Sequence, residues 1–171
     1  MDFWYIVTLI GEPTMWAFST VILAVAYFLL RKKLEPSKRK LLKKIMYIYI
    51  PSVATTLLLV LILKNAIYTE RPCIPCAHGA ANCNPYCDVD SSFPSGHSAA
   101  IFSVVTSLCI SLRKKKFLSL YAVSVMVASS RYFLGVHNII DIVAGASMGL
   151  AIPVIFSLVY KKEYEKPAKK A

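Results

Sequence analysis

Five apolar runs separated by short polar segments dominate the pattern of the chain. They cover residues 13–30, 45–63, 99–112, 117–130 and 139–160, and Asp141 is the one charged residue within them. At ~1.5 Å per residue, a helix of roughly 18 to 22 residues is about as long as the hydrocarbon core of a bilayer is thick. The pattern therefore predicts an all-α integral membrane bundle of about five transmembrane helices.

Three helix boundaries follow from the same pattern. The third run is long enough to span only if its helix begins near Pro94, and the fourth needs residues 132–134 to reach the interface. Residues 3–10 are also apolar, but the Gly-Glu-Pro sequence ending at Pro13 separates them from the first run, and proline suits the first turn of a new helix. We expect an N-terminal interfacial helix with Trp4 at headgroup depth.

The composition agrees with a membrane protein. Of the 171 residues, 57% are hydrophobic and 17% are charged, against about 25% charged in soluble domains. The mean hydropathy of +0.57 is too high for a disordered chain. Both soluble globules and disordered proteins are excluded, and the length predicts a single transmembrane domain over residues 1–171.

The basic residues predict the orientation. Of 20 Lys and Arg residues, eight lie in 31–44, four in 113–116 and five in 161–170, all on one side of a five-span arrangement. Cytoplasmic loops are enriched in basic residues, so we expect the C-terminus in the cytoplasm and the N-terminus outside a plasma (inner) membrane. These runs indicate topology and contact with anionic membrane lipids rather than nucleic-acid binding.

Three basic residues remain, and topology does not explain them. Lys64, Arg71 and Arg131 map to the outer ends of the second and fourth spans, where unpaired charges are costly. A continuing helix would place Lys64 and Arg71 on one face about 10 Å apart, before Pro72 turns the chain away. We expect an anion between the three cations, although a lysine and an arginine that snorkel to the interface would give the same pattern.

Two further motifs carry candidate chemistry. Ser95, Gly96 and His97 follow Pro94 at the start of the third span, where free backbone N–H groups favour an anion or a simple helix cap. Later in the chain, His137 and Asp141 are four residues apart and would share a helical face, so that the carboxylate orients the imidazole; a purely structural pair is the alternative. Gly145 and Gly149 continue this face and predict close approach of another helix.

Together the three motifs resemble the type 2 phosphatidic acid phosphatase superfamily, whose membrane lipid phosphatases share a site with vanadium haloperoxidases. Lys64 with Arg71-Pro72, the Pro94–His97 segment, and Ser130-Arg131 with His137 and Asp141 match its pattern at every position. The resemblance extends from the second span to the fifth. It implies metal-independent phosphoryl transfer on a lipid phosphate, with no cofactor.

The resemblance also implies the role of each site residue. His137, held by Asp141, attacks phosphorus and becomes a phosphohistidine, while His97 protonates the leaving oxygen and then activates water. The phosphoryl oxygens are bound by Lys64, Arg71, Ser95, Gly96 and Arg131.

Several substrates and two other activities fit the same residues. Undecaprenyl diphosphate, lipid A 1-phosphate, phosphatidylglycerophosphate and phosphatidate all present a phosphoryl group at this depth, as expected for an enzyme of cell-envelope lipid metabolism. A vanadate-dependent haloperoxidase-like oxidoreductase and a non-enzymatic anion-binding membrane protein are the alternatives. The sequence does not define the oligomeric state.

Four cysteines fall in the predicted outer loop, namely Cys73, Cys76, Cys83 and Cys87. An even number in an oxidising compartment favours two disulfides, whose connectivity the sequence leaves open among three possibilities. A zinc site that also uses His78 is the competing interpretation; otherwise His78 is expected to be a loop residue without a chemical role.

Overall fold

A computed structural model describes residues 3–76, 83–113 and 115–164 of the chain. Helices form every regular element of this part, which confirms the all-α prediction. In chain order the α-helices are α1 (Phe3–Leu9), α2 (Pro13–Leu30), α3 (Pro36–Ala66), α4 (Gly96–Leu112), α5 (Leu120–Phe133) and α6 (Ile139–Tyr164). A short 3₁₀ helix, Lys115–Ser119, precedes α5.

The helix lengths suit a membrane bundle. Three apolar stretches are long enough to cross a bilayer, Phe3–Leu30, Pro36–Ala66 and Ile139–Tyr164, while α4 and α5 are shorter apolar helices. The 17 residues of α4 extend about 26 Å. The chain is therefore a membrane protein built from a helical bundle.

One helix begins earlier than its apolar run. The third helix, α3, begins at Pro36 rather than residue 45, because lysine, arginine and leucine are good helix formers and proline is tolerated in the first turn. The next helix, α4, begins at Gly96 with Ser95 as its N-cap, in agreement with the predicted start near Pro94. As predicted, α5 continues to Phe133.

Helix α4 forms the centre of the bundle. Twelve of its 17 residues are buried, and its most extensive contacts are with α6 and α3. A Cβ atom added at Gly145 would collide with the backbone oxygen of Ser95, and one at Gly149 would collide with the backbone oxygen of Ala99. The prediction that this glycine face admits a close neighbour is thus confirmed, and the neighbour is α4.

The N-terminal helix packs on the bundle. Val7 and Thr8 of α1 are buried, and Val7 joins a hydrophobic cluster with residues of α4 and α5. The ring of Trp4 stacks on that of Phe133 with centroids 4.4 Å apart. These contacts bring the polar Thr8 to the same end of the bundle as the predicted site residues.

The loop between α3 and α4 is cross-linked. Cys73 is bonded to Cys87 and Cys76 to Cys83, so the structure pairs all four candidate cysteines. A zinc site would need these sulfur atoms as thiolates. His78, which the zinc interpretation also required, lies outside the described residues.

Candidate active site

Alternating helix directions gather the predicted residues at one end of the bundle. Lys64 is in the last turn of α3, His97 in the first turn of α4, Arg131 in the last turn of α5 and Asp141 in the first turn of α6. A cleft of about 760 Å³ opens at this end. Its lining includes Thr8, Glu12, Lys64, Arg71, Tyr86, Asp88, Asp90, Gly96, His97, Arg131 and His137.

The three predicted cations converge around two carboxylates. Lys64 Nζ lies 2.9 Å from Asp90 Oδ2, and Arg71 forms an ion pair with the same carboxylate. Asp88 Oδ2 lies 3.4 Å from Arg71 Nη2 and 3.9 Å from Arg131 Nη2. The arginine side chains are 5% exposed and the two aspartates 50% or more, so the carboxylates approach the cations from the open side of the cleft.

Asp90 is held in its charged form by these contacts. Burial alone would raise the pKa of its carboxyl group, but the hydrogen bonds from Arg71 and Lys64 outweigh burial and keep the pKa below its usual value. Asp90 therefore remains an anion at neutral pH and balances part of the positive charge. No motif in the sequence pointed to a role for Asp88 or Asp90 at this site.

Lys64 and Arg71 lie close together, but not on one helical face as expected. Helix α3 ends at Ala66, so Arg71 is on the following loop and not on a shared helical face. Its guanidinium donates to the backbone oxygens of Asp90 and Val136 at 3.1 and 3.0 Å. These contacts hold the planar group against the His137 segment.

His137 lies just before α6, and Ser92 connects it to Asp141. The distance from His137 Nδ1 to Asp141 Oδ2 is 3.6 Å, longer than a hydrogen bond. Ser92 Oγ lies 3.2 Å from Nδ1 and donates to Asp141 Oδ2 at 2.6 Å. Because α6 begins at Ile139, His137 lies outside the helix and does not share a helical face with Asp141 as predicted. The carboxylate acts on the imidazole through a serine hydroxyl.

The hydrogen-bond directions define the tautomer of His137. Because the Ser92 hydroxyl donates its proton to Asp141, its oxygen accepts from His137 Nδ1–H. The other ring nitrogen, Nε2, lies 3.3 Å from Arg71 Nη1 and carries the lone pair. Burial, followed by the positive charges of Arg71 and Arg131, lowers the pKa of His137 to about 2, so the ring is neutral at physiological pH.

Two residues from the N-terminal segments complete the cleft. Glu12, between α1 and α2, places Oε2 3.1 Å from His97 Nε2. Thr8 Oγ1 accepts a hydrogen bond of 3.0 Å from Arg131 Nη1. Neither residue belongs to a sequence motif; the only signal was the polar character of Thr8 and Glu12 within an apolar N-terminal stretch.

Ser95 and Gly96 differ in their position relative to the cleft. Ser95 is fully buried, its backbone N–H donates to Asp141 O at 3.0 Å, and its side chain caps α4 by accepting from Ser98 N. It does not line the cleft, whereas Gly96 does. The structure thus favours the helix-cap interpretation for Ser95.

The model of the PAP2 superfamily matches residues 45–165. The chain belongs to the PAP2 superfamily. The matched segment contains the predicted basic, histidine and Asp141 site residues, whereas Thr8 and Glu12 of this PAP2 protein precede it. Among the described residues, no group of three or more His, Cys, Asp or Glu side chains is arranged to hold a metal ion.

Solved structures share the PAP2 fold seen here. The crystal structure of LpxE from Aquifex aeolicus has a TM-score of 0.65 and 24% sequence identity, over 92% of this chain and 84% of that one. A transmembrane PAP2-type phosphatidylglycerolphosphate phosphatase from Bacillus subtilis has the same TM-score and identity, over 96% of this chain and 78% of that one. Curated proteins gave no significant match.

Proposed function

We propose that this PAP2 protein is a membrane phosphatase that removes a phosphate from a lipid phosphomonoester or diphosphate through a phosphohistidine intermediate, without metal or cofactor. One observation carries the proposal. In a single cleft, Lys64, Arg71 and Arg131 surround the approach to a neutral histidine, whose Nε2 lies 3.3 Å from Arg71 Nη1. A nucleophile beside fixed cations is what attack on a phosphate dianion requires.

Substrate binding exchanges one pair of negative charges for another. The carboxylates of Asp88 and Asp90 contact the same three cations that would bind the phosphoryl oxygens. A terminal phosphate dianion can replace them without a change in net charge, since each displaced carboxylate carries one negative charge. The buried Arg131 Nε has no hydrogen-bond partner among the described residues and gives this dianion a further donor.

The transfer then proceeds in two steps. The His137 Nε2 lone pair forms a P–N bond as the bond from phosphorus to the leaving oxygen breaks, and His97 gives that oxygen its proton. Neutral His97 next takes a proton from water, whose oxygen attacks phosphorus and releases His137 with inorganic phosphate. Glu12, 3.1 Å from His97 Nε2, stabilises the protonated imidazole that the first step needs.

The site position suggests a lipid substrate. The cleft lies at one end of the bundle, where a headgroup phosphate can enter while its hydrocarbon chains remain among apolar helices. The candidates are undecaprenyl diphosphate, lipid A 1-phosphate, phosphatidylglycerophosphate and phosphatidate. The basic segments support an orientation with this end on the periplasmic side of the inner membrane, and we propose residues 1–171 as one catalytic domain.

Release of inorganic phosphate from these four lipids in detergent tests the proposal. We expect at least one lipid to be hydrolysed, the H137A variant to lose at least about a thousandfold in rate, and vanadate but not chelators to inhibit. Bromination that depends on vanadate and halide would instead support an oxidoreductase. Full activity of H137A on the preferred lipid would refute the mechanism.

A further inference from the structure

A second cleft lies at the far end of α2 and α3 from the catalytic residues. Its volume is about 920 Å³, and five basic side chains line it, those of Arg31, Lys32, Arg39, Lys40 and Lys43. No acidic residue of the described chain is part of this lining. We propose that this basic cleft binds an anionic phospholipid, with the headgroup at the basic residues and an acyl chain between the two helices.

The basic residues of this cleft differ from those of the active site in their partners. In the described part of the chain, none of the five forms an ion pair with a carboxylate. Glu35, the acidic residue of the α2–α3 connection, pairs with Lys38 outside the cleft at 3.2 Å, and the Arg31 guanidinium lies 5.0 Å from the Phe28 ring centroid. The cleft therefore presents uncompensated positive charge, which an anionic headgroup would neutralise.

Below the basic residues the cleft becomes apolar. Tyr27, Met46 and Ile50 line this deeper part, and Ile50 is eleven residues beyond Arg39, which is about 16 Å along α3. Thr20 is the one fully buried residue of α2, and Phe28 and Leu29 near the cleft are 62% and 71% exposed. A basic entrance above an apolar groove matches an amphiphile with a negative head.

Other occupants fit less well. A free phosphate ion would contact the basic entrance but leave the apolar part unused. A zwitterionic lipid carries its own cation, which the five basic residues repel. A second copy of the chain would bring the same basic segment to the cleft, and like charges at one interface are costly.

The test uses the purified full chain in neutral detergent. Phosphatidylglycerol, phosphatidylcholine and glycerol 3-phosphate are titrated separately while the melting temperature is recorded and bound lipid is counted by native mass spectrometry. Phosphatidylglycerol is a diester without a terminal phosphate, so the proposed catalytic reaction does not consume it. We expect phosphatidylglycerol alone to raise the melting temperature and to remain bound.

A matched pair of variants separates the cleft from general surface charge. The cleft variant R39Q/K40Q/K43Q should need at least about tenfold more phosphatidylglycerol for the same shift. The control K33Q/K161Q/K162Q removes as many charges outside the lining and should behave as wild type. If the cleft variant does not fold, K40E, a single change at an exposed position, should show the same direction of effect. Equal losses in both triple variants, or an equal response to phosphatidylcholine or glycerol 3-phosphate, would overturn the proposal.

Discussion

Ser92 joins the two side chains whose spacing suggested a direct pair, His137 and Asp141. Its hydroxyl lies 3.2 Å from His137 Nδ1 and donates to Asp141 at 2.6 Å. The residue precedes Pro94 in a loop without periodicity, and nothing in the sequence distinguishes it from Ser91. Loop contacts of this kind depend on the path of the chain, which hydrophobic patterns do not predict.

Removal of the Ser92 hydroxyl should therefore affect catalysis more than stability. We expect S92A to lower kcat roughly tenfold, the value of one hydrogen bond, with little change in KM, because the imidazole loses its orienting partner. S107A is the matched control, since the buried Ser107 hydroxyl has no partner among the described residues. Equal kcat values for S92A and wild type would show that Ser92 does not orient His137.

The low pKa of His137 predicts its charge over a wide pH range. Burial and the adjacent arginines lower that pKa to about 2, so the ring should stay neutral with its proton on Nδ1 from pH 8 down to pH 5. The ¹⁵N chemical shifts of His137, assigned by comparison with H137A, would report this directly. A titration near 6.5, the ordinary histidine value, would contradict the lowered pKa.

A different prediction concerns Asp88, because its carboxylate competes with the substrate for the cations. Its carboxylate lies 3.4 Å from Arg71 and 3.9 Å from Arg131 and is 61% exposed, so each contact is weak. We expect D88N to lower the inhibition constant of inorganic phosphate roughly twofold to fivefold. The control E70Q removes an exposed negative charge beside Arg71 in the sequence and should change this inhibition constant less. Weaker phosphate inhibition in D88N would mean that Asp88 instead positions the arginines.

At the scale of helices, the packing of α6 on α4 depends on two glycines. The sequence predicted a close approach from their spacing but did not identify the partner helix. The structure identifies the partner as α4, whose small and polar residues make it the most buried helix. This contact aligns the first turn of α4, with His97, beside Asp141 in the first turn of α6.

A methyl group at this contact should loosen the bundle. We expect G149A to destabilise the fold by about 1 to 3 kcal/mol, because the added Cβ would overlap the backbone of Ala99 and the Cβ of Phe102. The melting temperature in detergent measures the effect. S147A, at an exposed position of the same helix, should leave the melting temperature nearly unchanged, and an equal melting temperature for G149A would show that the helices are not in tight contact.

At the scale of the whole molecule, the sequence was enough to predict the membrane bundle and which residues gather at one end of it. Alternating apolar runs place Lys64, His97, Arg131 and Asp141 at helix ends that point the same way. The sequence did not predict that Thr8 and Glu12 reach this end, because an isolated threonine and glutamate carry no motif and α1 was expected at the interface. Tertiary packing of α1 against α5 brings Thr8 to Arg131.

Transfer of labelled phosphate from a ³²P-lipid to the protein tests most directly whether these side chains form one phosphoryl-transfer site. The reaction is quenched during turnover, and radioactivity on the denatured protein is counted for wild type and H137A. We expect label on wild type and none above background on H137A, since His137 is the proposed acceptor. Equal labelling of H137A, or phosphate release by wild type with no labelled protein at any quench time, would contradict a phosphohistidine at this site.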